Sequence, residues 1–232
     1  MKQKLYLLPG TMCNHRLWTR LQPHLDSAFE LIYLAIPRDM DLEQLAAHFH
    51  DIIGEDKICL IGFSLGGYIA SLFATRYPER IAKLFVIANS PTALAVAELE
   101  QRSAILKFVQ SHGYKGASRK KIANLFDDSI QQGELIDLVQ QMDAELGEAE
   151  FISQYQHTSH RVDVIQALSG LNFPIHFYCS DQDPLVDVAC LDELTAQSPQ
   201  FLMHKTLGTG HMLPLEKPQQ LAKHIHAWAA LD

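Results

Sequence analysis

Ile58-Cys59-Leu60-Ile61-Gly62-Phe63-Ser64-Leu65-Gly66-Gly67-Tyr68-Ile69-Ala70 is the stretch on which the reading of this chain turns. An apolar run of strand length meets Gly-x-Ser-x-Gly and passes at once into Ala-, Leu- and Phe-rich sequence, with no turn residue before Tyr77-Pro78. That pattern predicts a strand, a tight turn and a buried helix. Gly62 and Gly66 leave space where a side chain would clash, so Ser64 can take a strained backbone position with its hydroxyl lifted above the sheet edge. The start of the following helix aims backbone N–H groups and a positive dipole end at the same spot, which favours negative charge developing on a bound oxygen. Gly-x-Ser-x-Gly alone is a weak signal, because Gly/Ser turns also arise from packing. Its place between a strand and a helix makes a catalytic serine on a nucleophile elbow the stronger reading.

Working outward, residues 4–8 read as a first strand, stopped by Pro9-Gly10 and the polar loop Thr11-Met12-Cys13-Asn14. Residues 30–36 read as a second, closed by Pro37. Asp41 is placed to cap a helix with Leu42, Leu45, Ala46, Phe49, Ile52 and Ile53 on one face, and Gln44 is placed to return the capping bond. Residues 57–63 form the third strand, 65–77 its helix and 82–88 a fourth strand. Strands that alternate with helices and read as continuous apolar runs indicate a mostly parallel sheet covered on both faces. After Asn89-Ser90-Pro91 the rhythm changes. From 93 to 168 only helical patterns occur: at 93–110, at 118–126, on a stripe of Leu135, Leu138, Val139, Met142 and Leu146, and at 147–156, where Phe151 and Tyr155 stand four apart. Strands return at 174–179 and 201–207, separated by a helix at 188–196. A last helix has Pro218 in its first turn and Leu221, Ile225 and Trp228 on its buried stripe. The expectation is an α/β core of about six strands over 1–91 and 169–232, with a helical cap, 92–168, inserted after the fourth strand. No internal repeat, low-complexity tract or linker interrupts it.

A chain of 232 residues that is 47 % hydrophobic and 20 % charged suits one compact domain carrying an insertion. The formal net charge of −8 argues against nucleic acid and anionic membranes as partners, since both call for a basic surface. Arg119-Lys120-Lys121 reads as a solvated helix face. Met1-Lys2-Gln3-Lys4 is followed by only four apolar residues before Pro9, too short for a secretory core, and no later run is long enough for a membrane span. A cytoplasmic monomer or homodimer acting on a small molecule is expected. Cys13, Cys59, Cys179 and Cys190 lack metal-like spacing and read as free thiols in a reducing compartment. His48/His50 and His224/His226 are two apart on predicted helices and point in different directions, so no metal is expected.

A serine hydroxyl is a poor nucleophile at neutral pH, so it needs a base, and the base needs an orienting partner. Both should lie at the carboxyl ends of later strands, where open α/β sheets place their ligands. Ser180-Asp181-Gln182-Asp183-Pro184-Leu185-Val186 follows the fifth strand, and Gly208-Thr209-Gly210-His211-Met212-Leu213-Pro214 follows the sixth. His211 is the candidate base. Asp181 and Asp183 both compete for the orienting role. Asp183 stands further from the strand and beside Pro184, which biases it toward extended backbone, whereas Asp181 suits a turn hydrogen bond.

On these residues the chain resembles the α/β-hydrolase fold proteins, in the group of small capped serine esterases and enol-lactonases, over nearly its whole length. Leu7-Leu8-Pro9-Gly10 through Trp18 resembles the oxyanion loop, and Gly62 to Gly67 the elbow. Ser180 to Val186 resembles the acid loop, and Gly210-His211 through Glu216-Lys217-Pro218 the histidine loop. Pro9 stands where the family usually has histidine, Ser180 where glycine is common, and Asp187 near where proline often follows. The usual leading antiparallel hairpin is absent from the pattern. The resemblance implies a triad of Ser64, Asp183 and His211 and an oxyanion hole from the N–H groups of Thr11 and Leu65. It also implies a substrate pocket touching Met12, Tyr68 and Met212, and no cofactor.

The expected activity is hydrolysis of a small carboxylic ester, lactone or thioester through an acyl-enzyme on Ser64. C–C bond hydrolysis or elimination on a small keto acid is the alternative within catalysis, and a ligand receptor on a hydrolase scaffold the alternative outside it. Serine at the elbow disfavours dehalogenase and epoxide-hydrolase chemistry, which need aspartate there. Similar menaquinone-pathway lyases usually carry arginine directly after Gly-Gly. Tyr68 holds that position here, so a preference for neutral acyl groups is expected.

Overall fold

The computed structural model describes residues 2–25, 27–129 and 132–231. Six strands form one sheet: β1 (Gln3–Leu8), β2 (Phe29–Tyr33), β3 (Ile58–Phe63), β4 (Ile81–Ile87), β5 (Ile175–Ser180) and β6 (Phe201–Thr206). Their order is β2-β1-β3-β4-β5-β6, and every neighbouring pair is parallel. Every residue of β3 and β5 is buried, as strands with helices on both faces require. The helices are α1 (Leu42–Ile53), α2 (Leu65–Arg76), α3 (Val96–His112), α4 (Arg119–Ala123), α5 (Gly133–His157), α6 (Ile165–Ser169), α7 (Val188–Gln197), α8 (Leu213–Glu216) and α9 (Pro218–Ala229).

Local chemistry accounts for most of these bounds. Asp41 Oδ1 accepts the Gln44 N–H at 2.9 Å while Gln44 Oε1 accepts the Asp41 N–H at 2.8 Å, so α1 opens with a reciprocal cap. α2 is buried from Leu65 to Ala74, because it lies against β3 and β4 and is covered by α1 and α6. α9 buries Leu221, Ile225 and Trp228 completely, and the Trp228 ring meets Phe85 of β4 edge-on at 5.5 Å. β2 ends at Tyr33, three residues short of the expected Ile36. Its partner β1 stops at Leu8, and beyond Tyr33 only the Leu34 N–H still reaches Leu7 O, at 3.0 Å. β1 is flanked by β2 on one side and β3 on the other, so the strand order reverses at β1. The crevice at the carboxyl ends of β1 and β3 is where such a sheet places its ligands.

Between β4 and β5 the chain forms α3 to α6 and, among the described residues, no strand. Gly147 breaks the long α5 with φ 73° and ψ −170°, so residues before and after it are two helical segments meeting at a kink. α3 and α4 pack on α5, whereas α6 packs on α2 and α7 of the sheet layers. α5 also reaches the turn after β1, where Glu145 accepts from Arg16 Nε at 2.9 Å and Asn14 Nδ2 at 2.8 Å. Two short helices, α6 and α8, have no counterpart in the sequence reading, being about a single turn long each.

The four cysteines are free, and burial pushes the Cys13 and Cys179 thiols up to about 12, where they are unreactive. His224 faces His204 while His226 bonds to His24 O, so the two do point apart. Among the described residues no His, Cys, Asp and Glu group has the arrangement of a metal site, and no helix is long and apolar enough to cross a membrane.

His176 on β5, His204 on β6 and His224 on α9 form a cluster, with His204 Nε2 3.2 Å from His176 Nδ1 and the His224 ring 4.2 Å from that of His204. Burial first, and the charge of neighbouring histidines second, push His176 and His204 down to about 4, while burial and then the Lys223 charge lower His224. Unfolded imidazoles take up a proton near pH 6.5, so between about 6.5 and 4 the unfolded chain binds more protons than the folded one. Stability is therefore complete above this window and falls as pH drops through it. Melting temperatures measured from pH 7 to 4 check this; a flat profile would show that the cluster is not held neutral.

Candidate active site

Ser64 sits between β3 and α2 with φ 50° and ψ −117°, the strained position anticipated for it. Two close approaches hold it there. A Cβ on Gly62 would come 2.3 Å from Gly66 O, and one on Gly66 would come 2.4 Å from the carbonyl oxygens of Leu8 and Pro9. Neither glycine tolerates a side chain without moving backbone. The Ser64 N–H donates to Ile87 O at 2.9 Å, pinning the elbow to the end of β4.

His211 lies 5 % exposed, with Nε2 3.0 Å from Ser64 Oγ and Nδ1 2.7 Å from Asp183 Oδ2. Asp183 is 3 % exposed and an acceptor only when ionised, so Nδ1 carries the proton and Nε2 presents its lone pair to the serine hydroxyl. Asp183 Oδ1 accepts the Leu185 N–H at 2.9 Å, which sets the carboxylate's orientation. Asp181 faces elsewhere: its Oδ1 accepts the Gly208 N–H at 2.9 Å and closes the turn after β6.

The histidine loop is fastened from three sides. His211 and Met212 both donate their N–H groups to Leu125 O, at 2.8 and 3.2 Å. Asp127 accepts the Thr209 N–H at 2.9 Å, and hydrogen bonds from Ser129 and Thr209 hold its carboxyl down at about 2. Ser180, where the family commonly has glycine, is buried and donates its hydroxyl to Gly210 O, tying the end of β5 to this loop. Sequence reasoning missed Leu125, Asp127 and this use of Ser180; the hydroxyl at the strand end was the only signal.

Leu65 opens α2, so no carbonyl lies one turn back to take its N–H. Gly10 lies so close to the elbow that a Cβ there would be 3.2 Å from Ser64 Cβ, which brings Thr11, the next residue, to the site. Met12 follows at φ 53°, and its N–H donates to Gln154 Oε1 of α5 at 2.9 Å. Gln154 in turn donates to Glu150 Oε1 at 2.7 Å, and burial raises the Glu150 carboxyl. The loop after β1 is thus held by a helix far downstream.

The three residues implied to touch substrate, Met12, Tyr68 and Met212, are all buried. Met12 clusters with Val109 and Phe151, Met212 is buried in the main core, and Tyr68 is buried with its hydroxyl between the Val162 N–H, at 2.9 Å, and Val162 O, at 2.8 Å. A cleft of about 380 Å³ borders the other side of the loop after β1, lined by Pro9, Cys13, Trp18, Leu34, Leu146 and Gln154 among others. None of Ser64, Tyr68, Asp183, His211 or Met212 belongs to its walls.

The family model for the alpha/beta hydrolase fold matches residues 8–218, and the chain belongs to that family. That family defines the class to which the fold and site belong, and esterases recur among the proteins to which the chain is similar. The biotin biosynthesis bifunctional protein BioHC of Cellvibrio japonicus is 26 % identical over 238 residues, covering 95 % of this chain and 46 % of that protein. The pimeloyl-[acyl-carrier protein] methyl ester esterase of Klebsiella pneumoniae is 28 % identical over 218 residues, covering 87 % of this chain and 84 % of the relative. The chain spans less than half the length of the first three curated relatives it matches. Among solved structures, an esterase from Thermogutta terrifontis superposes with a TM-score of 0.86 at 21 % identity, covering 99 % of this chain and 90 % of the other. The enol-lactonase from Burkholderia xenovorans does so with 0.84 at 12 %, covering 100 % and 92 %. These two likenesses establish the fold.

Proposed function

We propose that the protein is a serine hydrolase cleaving a small carboxylic ester, lactone or thioester through an acyl-enzyme on Ser64. The observation that carries this is the unbroken contact from Asp183 through His211 to Ser64 Oγ, with the acid and the base both buried. In this reading Ser64 Oγ attacks the acyl carbonyl as His211 Nε2 takes its proton. Asp183 holds the imidazole tautomer and stabilises the imidazolium. The N–H groups of Leu65 and Thr11 receive the oxyanion, and a missing donor of this kind costs about 10²–10³ in rate. His211 then returns the proton to the leaving alkoxide or thiolate, and water repeats the sequence to free the acid. The insertion of 92–168 acts as the cap: it holds the loop after β1 through Gln154 and the histidine loop through Leu125. The name of the relative matched over most of both chains favours a methyl or similarly small ester as the leaving side.

A panel of acetyl, butyryl and hexanoyl chromogenic esters and small lactones tests the reading. Turnover of at least one well above the buffer rate is expected. Saturable binding without turnover across the whole panel would instead support a receptor.

A further inference from the structure

We propose that Arg102 and Arg161 form a paired anion site that takes a carboxylate borne on the acyl chain, away from the scissile carbonyl; the inference rests on the ester-hydrolase reading of Ser64. Arg102, on α3, is only 8 % exposed. Its Nε donates to Ser159 Oγ at 2.7 Å, its Nη2 lies 3.5 Å from Thr158 Oγ1, and its guanidinium carbon stands 4.3 Å above the centre of the Tyr155 ring. Arg161, partly buried in the segment after α5, donates from Nε to Thr158 O at 3.1 Å and lies 5.0 Å from the centre of the Tyr68 ring. The two cations therefore converge on one residue, Thr158, which is 1 % exposed.

Buried guanidinium groups are normally matched by carboxylates, because an uncompensated charge away from water is costly. Among the described residues neither arginine forms an ion pair. Glu98, one turn before Arg102 on α3, acts on both only from longer range. Their neighbours are ring faces and neutral oxygens. Burial lowers both guanidinium groups, Arg161 to about 10 with the like charge of Arg102 as second cause, so both stay charged at neutral pH. Two like charges held together with no carboxylate in contact, Glu98 acting only from longer range, make a receptor for an anion, and Arg161, partly exposed where Arg102 is buried, provides the way in.

Arg161 connects the pair to the elbow through Tyr68. Tyr68 is one helical turn beyond Ser64, with its N–H on Ser64 O at 3.1 Å, and a helical side chain leans toward the helix N-terminus, here toward Ser64. Its hydroxyl clamps the backbone of Val162 and so fixes Arg161 above that ring. On the other flank Tyr155 stacks on Phe151 at 4.1 Å, and Phe151 packs with Met12, next to Thr11. A turn of helix plus the ring contact at 5.0 Å gives Arg161 a distance on the order of 10 Å from the serine, the span of a short diacid chain. Tyr68 thus does not leave the site without a cation, as its identity alone suggested; it serves as the platform on which Arg161 lies. The expected preference for neutral acyl groups is replaced by one for half-esters.

The test compares monomethyl adipate with methyl 6-methylheptanoate, in which an isopropyl group stands for the carboxylate, with acid release followed in a pH-stat. Binding of adipate is measured separately by calorimetry, using the wild type and Ser64→Ala. A kcat/KM about 10-fold or more in favour of the half-ester is expected. Arg161→Met and Arg102→Met should lower kcat/KM for the half-ester by about 10- to 100-fold, mainly through KM, and for the neutral ester far less. Arg161→Lys should recover part of the loss, and adipate binding should weaken with added salt and vanish in Arg161→Met. Equal use of the two esters, equal loss of both in the variants, or adipate binding indifferent to Arg161 would each overturn the pair. The two readings fail separately. Arginine-dependent adipate binding without turnover of either ester removes the hydrolase assignment and leaves the anion site. Turnover of both esters without preference does the reverse.

Discussion

Ser64→Ala is expected to abolish covalent labelling by an organophosphonate and to lower kcat on a chromogenic ester by about four orders of magnitude or more, with the fold intact. The size of the effect follows from the division of labour at the site. His211 and Asp183 exist in this arrangement to raise the nucleophilicity of one oxygen, 3.0 Å from Nε2, and without that oxygen they have nothing to activate. The oxyanion donors and the binding surface remain, so a residual rate above water should persist. Alanine keeps the Cβ and the backbone demand of φ 50°, so melting should change little, whereas the glycines around it could not be altered so freely. Labelling at another residue, or undiminished turnover in the variant, would place the nucleophile elsewhere.

Asp183→Asn is expected to lower turnover by about 10²–10⁴, because an amide neither enforces the Nδ1–H tautomer nor stabilises an imidazolium. The loss should appear in kcat more than in KM, since the 2.7 Å contact matters most when His211 carries charge. Asp181→Asn is the internal control. Its oxygen accepts one backbone N–H, that of Gly208, which an amide oxygen can still accept, so a modest loss of stability with near-normal rates is expected. If Asp181→Asn were inactive and Asp183→Asn near normal, the roles of the two acids would be exchanged.

The parts of this molecule that were legible beforehand are those whose cause lies within a few residues. The elbow was readable because Gly62, Ser64 and Gly66 meet within one turn, and the α1 cap because Asp41 and Gln44 are three apart. Asp183 could be preferred over Asp181 from its place beside Pro184, and Pro218 and Trp228 marked out α9. The end of β2 was not readable, since it depends on where β1 stops. Nor were the contacts that the helical insertion makes with Met12 through Gln154, with Tyr68 through Val162 and with Met212 through Leu125.

Strand-helix alternation, apolar runs and a glycine-flanked serine determined the α/β sheet, the residue at its elbow and the loops from which partners had to come. Those features are local: they follow from backbone sterics and from periodicity that any stretch of about ten residues displays. Only the tertiary structure decided that Leu125 holds His211, that Gln154 takes the Met12 N–H across 142 residues, and that Tyr68 meets Val162 across 94 and so carries Arg161 over its ring. The reason is physical. A hydrogen bond or a stacked cation depends on how the insertion settles over the sheet, which is set by the summed packing of many side chains and leaves no periodic mark on the chain.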